Sequence, residues 1–105
     1  MKNEKSLKIY EEATKYIPGG VNSPVRAFKS VGLDPIFIER AHGSRIYDVD
    51  GNEYIDYICS WGPLMLGHSP KEIVEGIEEV VYRGTSYGVP TAIEVEMAKL
   101  VVEAY

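Results

Sequence analysis

The sequence predicts an α+β chain: an N-terminal helix, short antiparallel strands with a hairpin, then two more helices. Three observations carry that prediction. Apolar residues recur at helical spacing near the N-terminus and again beyond residue 69. Between these stretches lie short runs rich in β-branched and aromatic residues. Asp50-Gly51 separates two of the runs, and glycine tolerates the positive φ that a tight hairpin turn needs.

Residues 4 to 17 read as the first helix. Leu7, Tyr10, Ala13 and Ile17 form its apolar stripe, and Pro18-Gly19-Gly20 ends it. Residues 19 to 35 hold three glycines and two prolines with little periodicity. They read as irregular loop, and a loop of that length inside a compact domain is often functional. The runs 36 to 39 (IFIE), 45 to 49 (RIYDV) and 53 to 58 (EYIDYI) are the expected strands, with Tyr47, Tyr54 and Tyr57 packing on the sheet. Residues 59 to 68 (CSWGPLMLGH) form a second irregular stretch.

Ser69-Pro70-Lys71-Glu72 reads as a capping box with proline at the first helical position. The helix it opens runs over 70–83, with Ile73, Val74, Ile77, Val80 and Val81 on one face and Gly84 as the stop. Its polar side carries Glu72, Glu75, Glu78 and Glu79, and Arg83 at its C-terminal end suits the helix dipole. Thr91-Ala92-Ile93-Glu94 reads as a second capping box, followed by Met97, Leu100 and Val101 at helical spacing. Such wide apolar faces need something to pack on, and three short strands offer little. The chain therefore reads as an N-terminal piece of something larger.

Composition bounds the function classes. The chain has 105 residues, of which 45% are hydrophobic, and a chain of this size is expected to bury roughly 65% of its unfolded surface in one modest core. Eleven basic against 16 acidic side chains give a formal charge of −5. With no basic block, nucleic acid and anionic membranes are poor partners. The single cysteine, Cys59, leaves no intramolecular disulfide and no zinc quartet, and reads as a buried thiol. His42 and His68 are too separated for a metal pair, and His68 reads as a turn residue. The DVDGN string at 48–52 superficially resembles a calcium loop. With Gly51 at the sixth position, however, Ile46 and Tyr57 would occupy the first and twelfth, where oxygen ligands are required, so a solvated hairpin turn is the better reading. The N-terminus is no signal peptide, and no apolar run approaches the roughly 18 residues needed to span a bilayer. A cytoplasmic location is the default expectation.

Three residues attract chemistry. Arg26 has no acidic residue within six positions on either side, and its planar fork matches a carboxylate; a surface or clamping arginine is the other reading. Ser23, forced towards an extended conformation by Pro24, offers a hydroxyl donor or is a plain turn serine. Trp61, the only tryptophan, is either a cavity wall or a core anchor. The Gly84–Gly88 loop precedes a helix N-terminus but lacks the spacing and lysine of a phosphate-binding loop.

Four segments, GGVNSPVRAFKS (19–30), DVDGNEYIDY (48–57), SWGPLMLGH (60–68) and GTSYGVPT (84–91), occur in an order and spacing that resemble the glutamate-1-semialdehyde 2,1-aminomutase family. That family lies in the class III branch of the fold type I pyridoxal-phosphate enzymes. The hairpin and the Gly67-His68-Ser69-Pro70 turn are shared across class III, whereas VNSPVRAF selects the aminomutases. The resemblance implies conversion of glutamate 1-semialdehyde to 5-aminolevulinate, the tetrapyrrole precursor, by a pyridoxal 5'-phosphate-dependent homodimer with its active site at the subunit interface. It implies that Ser23, Arg26 and Trp61 contact substrate, with Arg26 on its carboxylate. It implies that the Gly84–Gly88 loop lines the active-site entrance or a dimer contact. Residues 1–68 would belong to the small N-terminal segment and 69–105 to the first helices of the large cofactor domain. None of the seven lysines matches the family's Schiff-base lysine, so no catalytic residue is assigned and the 105-residue chain alone is expected to be inactive. Two alternatives remain: another class III aminotransferase acting on ornithine, acetylornithine or a γ-amino acid, and a non-enzymatic strand-plus-helix dimerisation or binding module.

Overall fold

The structure, a computed structural model, describes residues 1–105. The chain divides into two compact units, Met1–Pro70 and Lys71–Tyr105.

The first unit contains helix α1 (Glu4–Tyr16) and strands β1 (Ile38–His42), β2 (Arg45–Asp48) and β3 (Glu53–Ile55). The strands form an antiparallel meander in the order β1-β2-β3. Asp50-Gly51 turns β2 into β3 as the sequence predicts, and Gly43-Ser44 makes a second tight turn that the residue pattern did not announce. The first strand lies later than the expected 36–39. The Phe37 amide donates to the Ser6 hydroxyl (3.4 Å), outside the sheet ladder, and a bulge follows between Ile38 and Arg40. Beyond it Arg40 pairs with Tyr47, and the guanidinium carbon sits 3.6 Å from the ring centroid, a cation–π contact across two strands. The third strand stops at Ile55, because Asp56 turns the chain with its own carboxylate.

The expected irregular loop at 19–35 is more ordered than its composition suggests. It contains three short 3-10 turns, Pro18–Gly20, Pro24–Ala27 and Lys29–Val31. It is anchored at Gly20, where an added Cβ would lie 2.5 Å from a Tyr10 ring carbon. Only glycine allows the backbone to pass that close to helix α1.

The expected hydrophobic core is not what holds this unit. Ala27 (4% exposed) is its buried hydrophobic residue, while Ser6 and Asp48, each 1% exposed, are the most buried side chains. The physical reason is a polar network. Asp48 Oδ1 accepts the amides of Asp50 (3.0 Å) and Asn52 (2.8 Å). Its Oδ2 accepts the Asn52 side-chain amide (2.8 Å) and the Tyr54 hydroxyl (2.7 Å). Asp50 then reaches across to helix α1, where the Lys5 and Ser6 amides donate to its two carboxylate oxygens at 2.8 and 2.9 Å. Asn3, the residue before α1, makes no side-chain cap, so a hairpin residue supplies both the acceptor and the negative charge that a helix N-terminus favours. The DVDGN turn is thus a helix-capping device rather than a merely solvated turn. Tyr54 belongs to that network, and Tyr57, 88% exposed, does not pack on the sheet at all.

The second unit contains helices α2 (Lys71–Val80) and α3 (Ala92–Ala104), with a 3-10 turn at Val81–Arg83 ending at Gly84. The anticipated capping boxes do not form as drawn. Ser69 has a left-handed φ of 50° and α2 begins at Lys71, whereas an N-cap residue is normally extended. Thr91 is extended before α3 but makes no side-chain cap. Every residue of this unit except Thr91 is exposed, including the apolar stripe Ile73, Ile77 and Val81 of α2 and its turn.

Candidate functional site

Arg26 lies on the Pro24–Ala27 turn, which Pro24 starts and the Arg26 amide closes by donating to the Ser23 carbonyl (2.9 Å). Ala27 is buried beneath the turn, which leaves the neighbouring Arg26 side chain exposed. Its guanidinium makes no ion pair within the chain. Trp61 ends the Cys59–Trp61 turn, in which Cys59, Ser60 and Trp61 all have left-handed φ values (50°, 53° and 67°). That backbone turns the indole outward, and Trp61 is 69% exposed.

The two side chains line one open depression of about 360 Å³, together with Asp56, Ser60 and His68. Ser23 is half-buried and extended (φ −145°, ψ 128°) but is not among the lining residues. The fold thus brings Arg26 and Trp61 together and leaves Ser23 behind the turn.

Asp56 and His68 were not singled out as site residues from the sequence. His68 Nε2 donates to Asp56 Oδ2 at 2.7 Å, and Asp56 Oδ1 accepts the amides of Ile58 (2.8 Å) and Cys59 (3.1 Å). The hydrogen bond from His68 and the Ile58 amide hold the Asp56 carboxyl below the usual range; partial burial opposes this, and the Cys59 amide adds to the lowering. The aspartate followed two and three residues later by free amides is a local Asx-turn signal. Its imidazole partner lies too far along the chain for any local rule. The His68 backbone also exchanges two hydrogen bonds with Gly43 (2.8 and 2.9 Å). The chain approaches so closely there that a Cβ on Gly67 would sit 2.8 Å from the Gly43 carbonyl oxygen. His68 is therefore more than a turn residue, and Cys59 is half-buried rather than a buried thiol.

The Gly84–Gly88 loop lines a hollow of about 550 Å³ within the second unit, beside Arg83, Thr91 and Glu94. Tyr87 pins the loop by donating its hydroxyl to the Arg83 carbonyl. The Glu94 carboxylate in the same hollow opposes an anionic ligand. No group of three His, Cys, Asp or Glu residues is placed to hold a metal ion. No helix is long and apolar enough to cross a membrane. All seven lysines are exposed, and none lines these cavities. The residues present therefore do not fit a covalently held aldehyde cofactor.

Similarity to known proteins covers the whole chain. A glutamate-1-semialdehyde 2,1-aminomutase from Clostridium novyi (strain NT) is 74% identical over 105 residues, which are 100% of this chain and 24% of that protein. The protein of the same name from Persephonella marina is 62% identical over 99% of this chain and 24% of its own length. The chain thus spans about a quarter of the length of the curated relatives it matches. Among solved structures, a transaminase with PLP bound superposes with a TM-score of 0.82 at 39% identity, over 94% of this chain and 23% of that one. A β-phenylalanine aminotransferase from Variovorax paradoxus gives 0.86 at 27% identity, over 98% and 23%. The α+β arrangement of these 105 residues is accordingly that of the PLP-dependent transaminases. The family model for class-III aminotransferases matches residues 28–103, from just after the arginine turn to the end of α3, and the chain belongs to that family.

Proposed function

We propose that this chain is the N-terminal portion of a pyridoxal-phosphate-dependent glutamate-1-semialdehyde 2,1-aminomutase, an isomerase forming 5-aminolevulinate for tetrapyrrole synthesis, and that it supplies one wall of the substrate pocket. The observation that carries this reading is the unpaired Arg26 guanidinium facing the same depression as Trp61. A planar cation beside an indole suits a small carboxylate with a short aliphatic stem. The guanidinium takes the carboxylate bidentately, and the ring shields the stem from water. Ser23 contributes through its backbone, whose carbonyl accepts the Arg26 amide and starts the arginine turn. The high identity over all 105 residues supports the aminomutase over other class III members. The segment bearing Ser23 and Arg26 precedes the residues that the broader family shares.

Pyridoxal phosphate is the cofactor of this family; bound, its ring would supply the electron sink and its pyridoxamine form the amino group. No residue here is assigned to hold it, so residues 1–68 act on substrate position and residues 69–105 open the larger cofactor domain. By itself the 105-residue chain is inactive in this reading. Assembly as a cytoplasmic homodimer belongs to the same proposal.

The test is Arg26→Ala in the complete enzyme. Loss of a charge-assisted hydrogen bond worth about 1.5–3 kcal/mol lowers kcat/KM for glutamate 1-semialdehyde roughly 10- to 100-fold. The visible cofactor band and cofactor affinity stay as in the wild type. Unchanged turnover, or equal loss of substrate use and cofactor binding, would remove the carboxylate role.

A further inference from the structure

The depression has a second layer of construction behind Arg26 and Trp61. Of the three ion pairs in the chain, Arg45–Glu53 and Lys71–Glu75 are largely exposed, while the Asp56–His68 side chains are only 9% and 20% exposed. Asp56 divides its oxygens between the two ends of one loop. Oδ1 takes the Ile58 and Cys59 amides at the start, and Oδ2 takes the His68 imidazole at the end. Both ends rest on the same hairpin turn. The Asp56 amide donates to the Ser44 carbonyl (2.9 Å), and His68 pairs with Gly43.

Between those ends the chain passes through Cys59, Ser60 and Trp61, three successive non-glycine residues with positive φ. Left-handed non-glycine residues are strained and persist only where their surroundings over-determine them. The Ile58 and Cys59 amides held by Asp56 lie at the entry to this strained turn, and the imidazole fixes the carboxylate that holds them. Removing the imidazole frees the carboxylate to rotate, loosens the two amides and lets the turn relax. Trp61 is the side chain that such relaxation moves.

We infer that Asp56 and His68 are positioning residues, a carboxylate–imidazole clamp that sets the strained Cys59–Gly62 turn and so aims Trp61 across the depression from Arg26. Their function deepens, and rests on, the reading of that depression as the substrate pocket. Neither residue is assigned proton transfer; both act through the indole.

The experiment uses the complete enzyme labelled with 5-fluorotryptophan, with the Trp61 fluorine signal assigned by Trp61→Phe. His68→Phe, which keeps a ring but removes the donor, shifts or broadens that signal and raises KM for glutamate 1-semialdehyde about tenfold, with a smaller change in kcat. His68→Gln, which restores an N–H donor, returns both towards wild type. Should His68→Phe fail to fold, Asp56→Asn decides by the same signal. It replaces a charge-assisted bond with a neutral one and moves the signal in the same direction by less. A Trp61 signal and KM both unchanged in folded His68→Phe, or equal losses in His68→Phe and His68→Gln, overturn the clamp. A moved signal with unchanged KM keeps the clamp and removes the substrate-pocket reading instead, which Arg26→Ala checks independently.

Discussion

In Met1–Pro70 the most buried side chains are an aspartate and a serine, and hydrogen bonds link the hairpin to helix α1 across more than 40 residues. In Lys71–Tyr105 the apolar side chains of α2 and α3 stay exposed, and the ion pair present, Lys71–Glu75, joins neighbouring turns of one helix. The first unit is specified by polar groups that must find particular partners. The second shows helical spacing and a glycine stop, with its apolar faces uncovered within these residues. Within these 105 residues, polar pairing rather than apolar burial fixes the geometry of the first unit. Satisfied polar networks fix geometry where packing is thin, because an unsatisfied buried polar atom is costly. No buried side-chain nitrogen or oxygen here lacks a partner.

The largest expected effect is that of Asp48→Ala. It removes the acceptor of the Asp50 and Asn52 amides and one partner each of the Tyr54 hydroxyl and the Asn52 side chain, and is expected to cost on the order of 3 kcal/mol in urea unfolding. Hydrogen exchange localises the loss to Met1–Pro70. Equal loss of protection in α2 and α3 would show that the two units do not differ in the way described.

A smaller effect follows from titration. Burial raises the Asp48 pKa, but its hydrogen bonds from Asn52, Tyr54 and the turn amides outweigh this and leave it lowered. Its stabilisation is therefore present above the ordinary carboxylate range and is lost as pH falls through its folded value. Tyr54 behaves in the opposite sense. Burial, then the hydrogen bond and charge of Asp48, raise its pKa from 10.0 to about 12. Its contribution is complete below pH 10 and fades as pH rises through the folded value. Stability measured between pH 10 and about 12 should fall less steeply in Tyr54→Phe than in the wild type, and parallel curves would contradict the assignment.

The smallest expected change lies in the second unit. Ile77→Ser on the exposed face of α2 should alter the stability of this chain by about 0.5 kcal/mol or less. A loss near the Asp48→Ala value would show that the face is covered in solution.

Much of the fold was legible because it is local. The helices at 4–17, 70–83 and after Thr91 follow from apolar spacing, and the Asp50-Gly51 turn from one dipeptide. Strand ends were displaced by two to three residues where side chains intervene: the Ser6 hydroxyl receives the Phe37 amide, and the Asp56 carboxylate ends β3. In the site, Arg26 was legible as a cation without local company, and Trp61 as a ring in a glycine-proline loop. Their shared depression, and the exclusion of Ser23 from it, were not, since neither follows from spacing along the chain.

From the residues alone follow which segments are helical, where the Asp50-Gly51 hairpin turns, and that Arg26 stands on a glycine-proline loop without an acidic residue nearby. Each is a consequence of neighbours within a few residues, where propensity, capping and turn chemistry act. The folded chain adds that Asp50 caps helix α1, that His68 bonds to Asp56, and that Trp61 and Arg26 line one depression. The first two are hydrogen bonds between groups 12 to 45 residues apart, and the third is a shared depression that exists only once the chain has closed on itself.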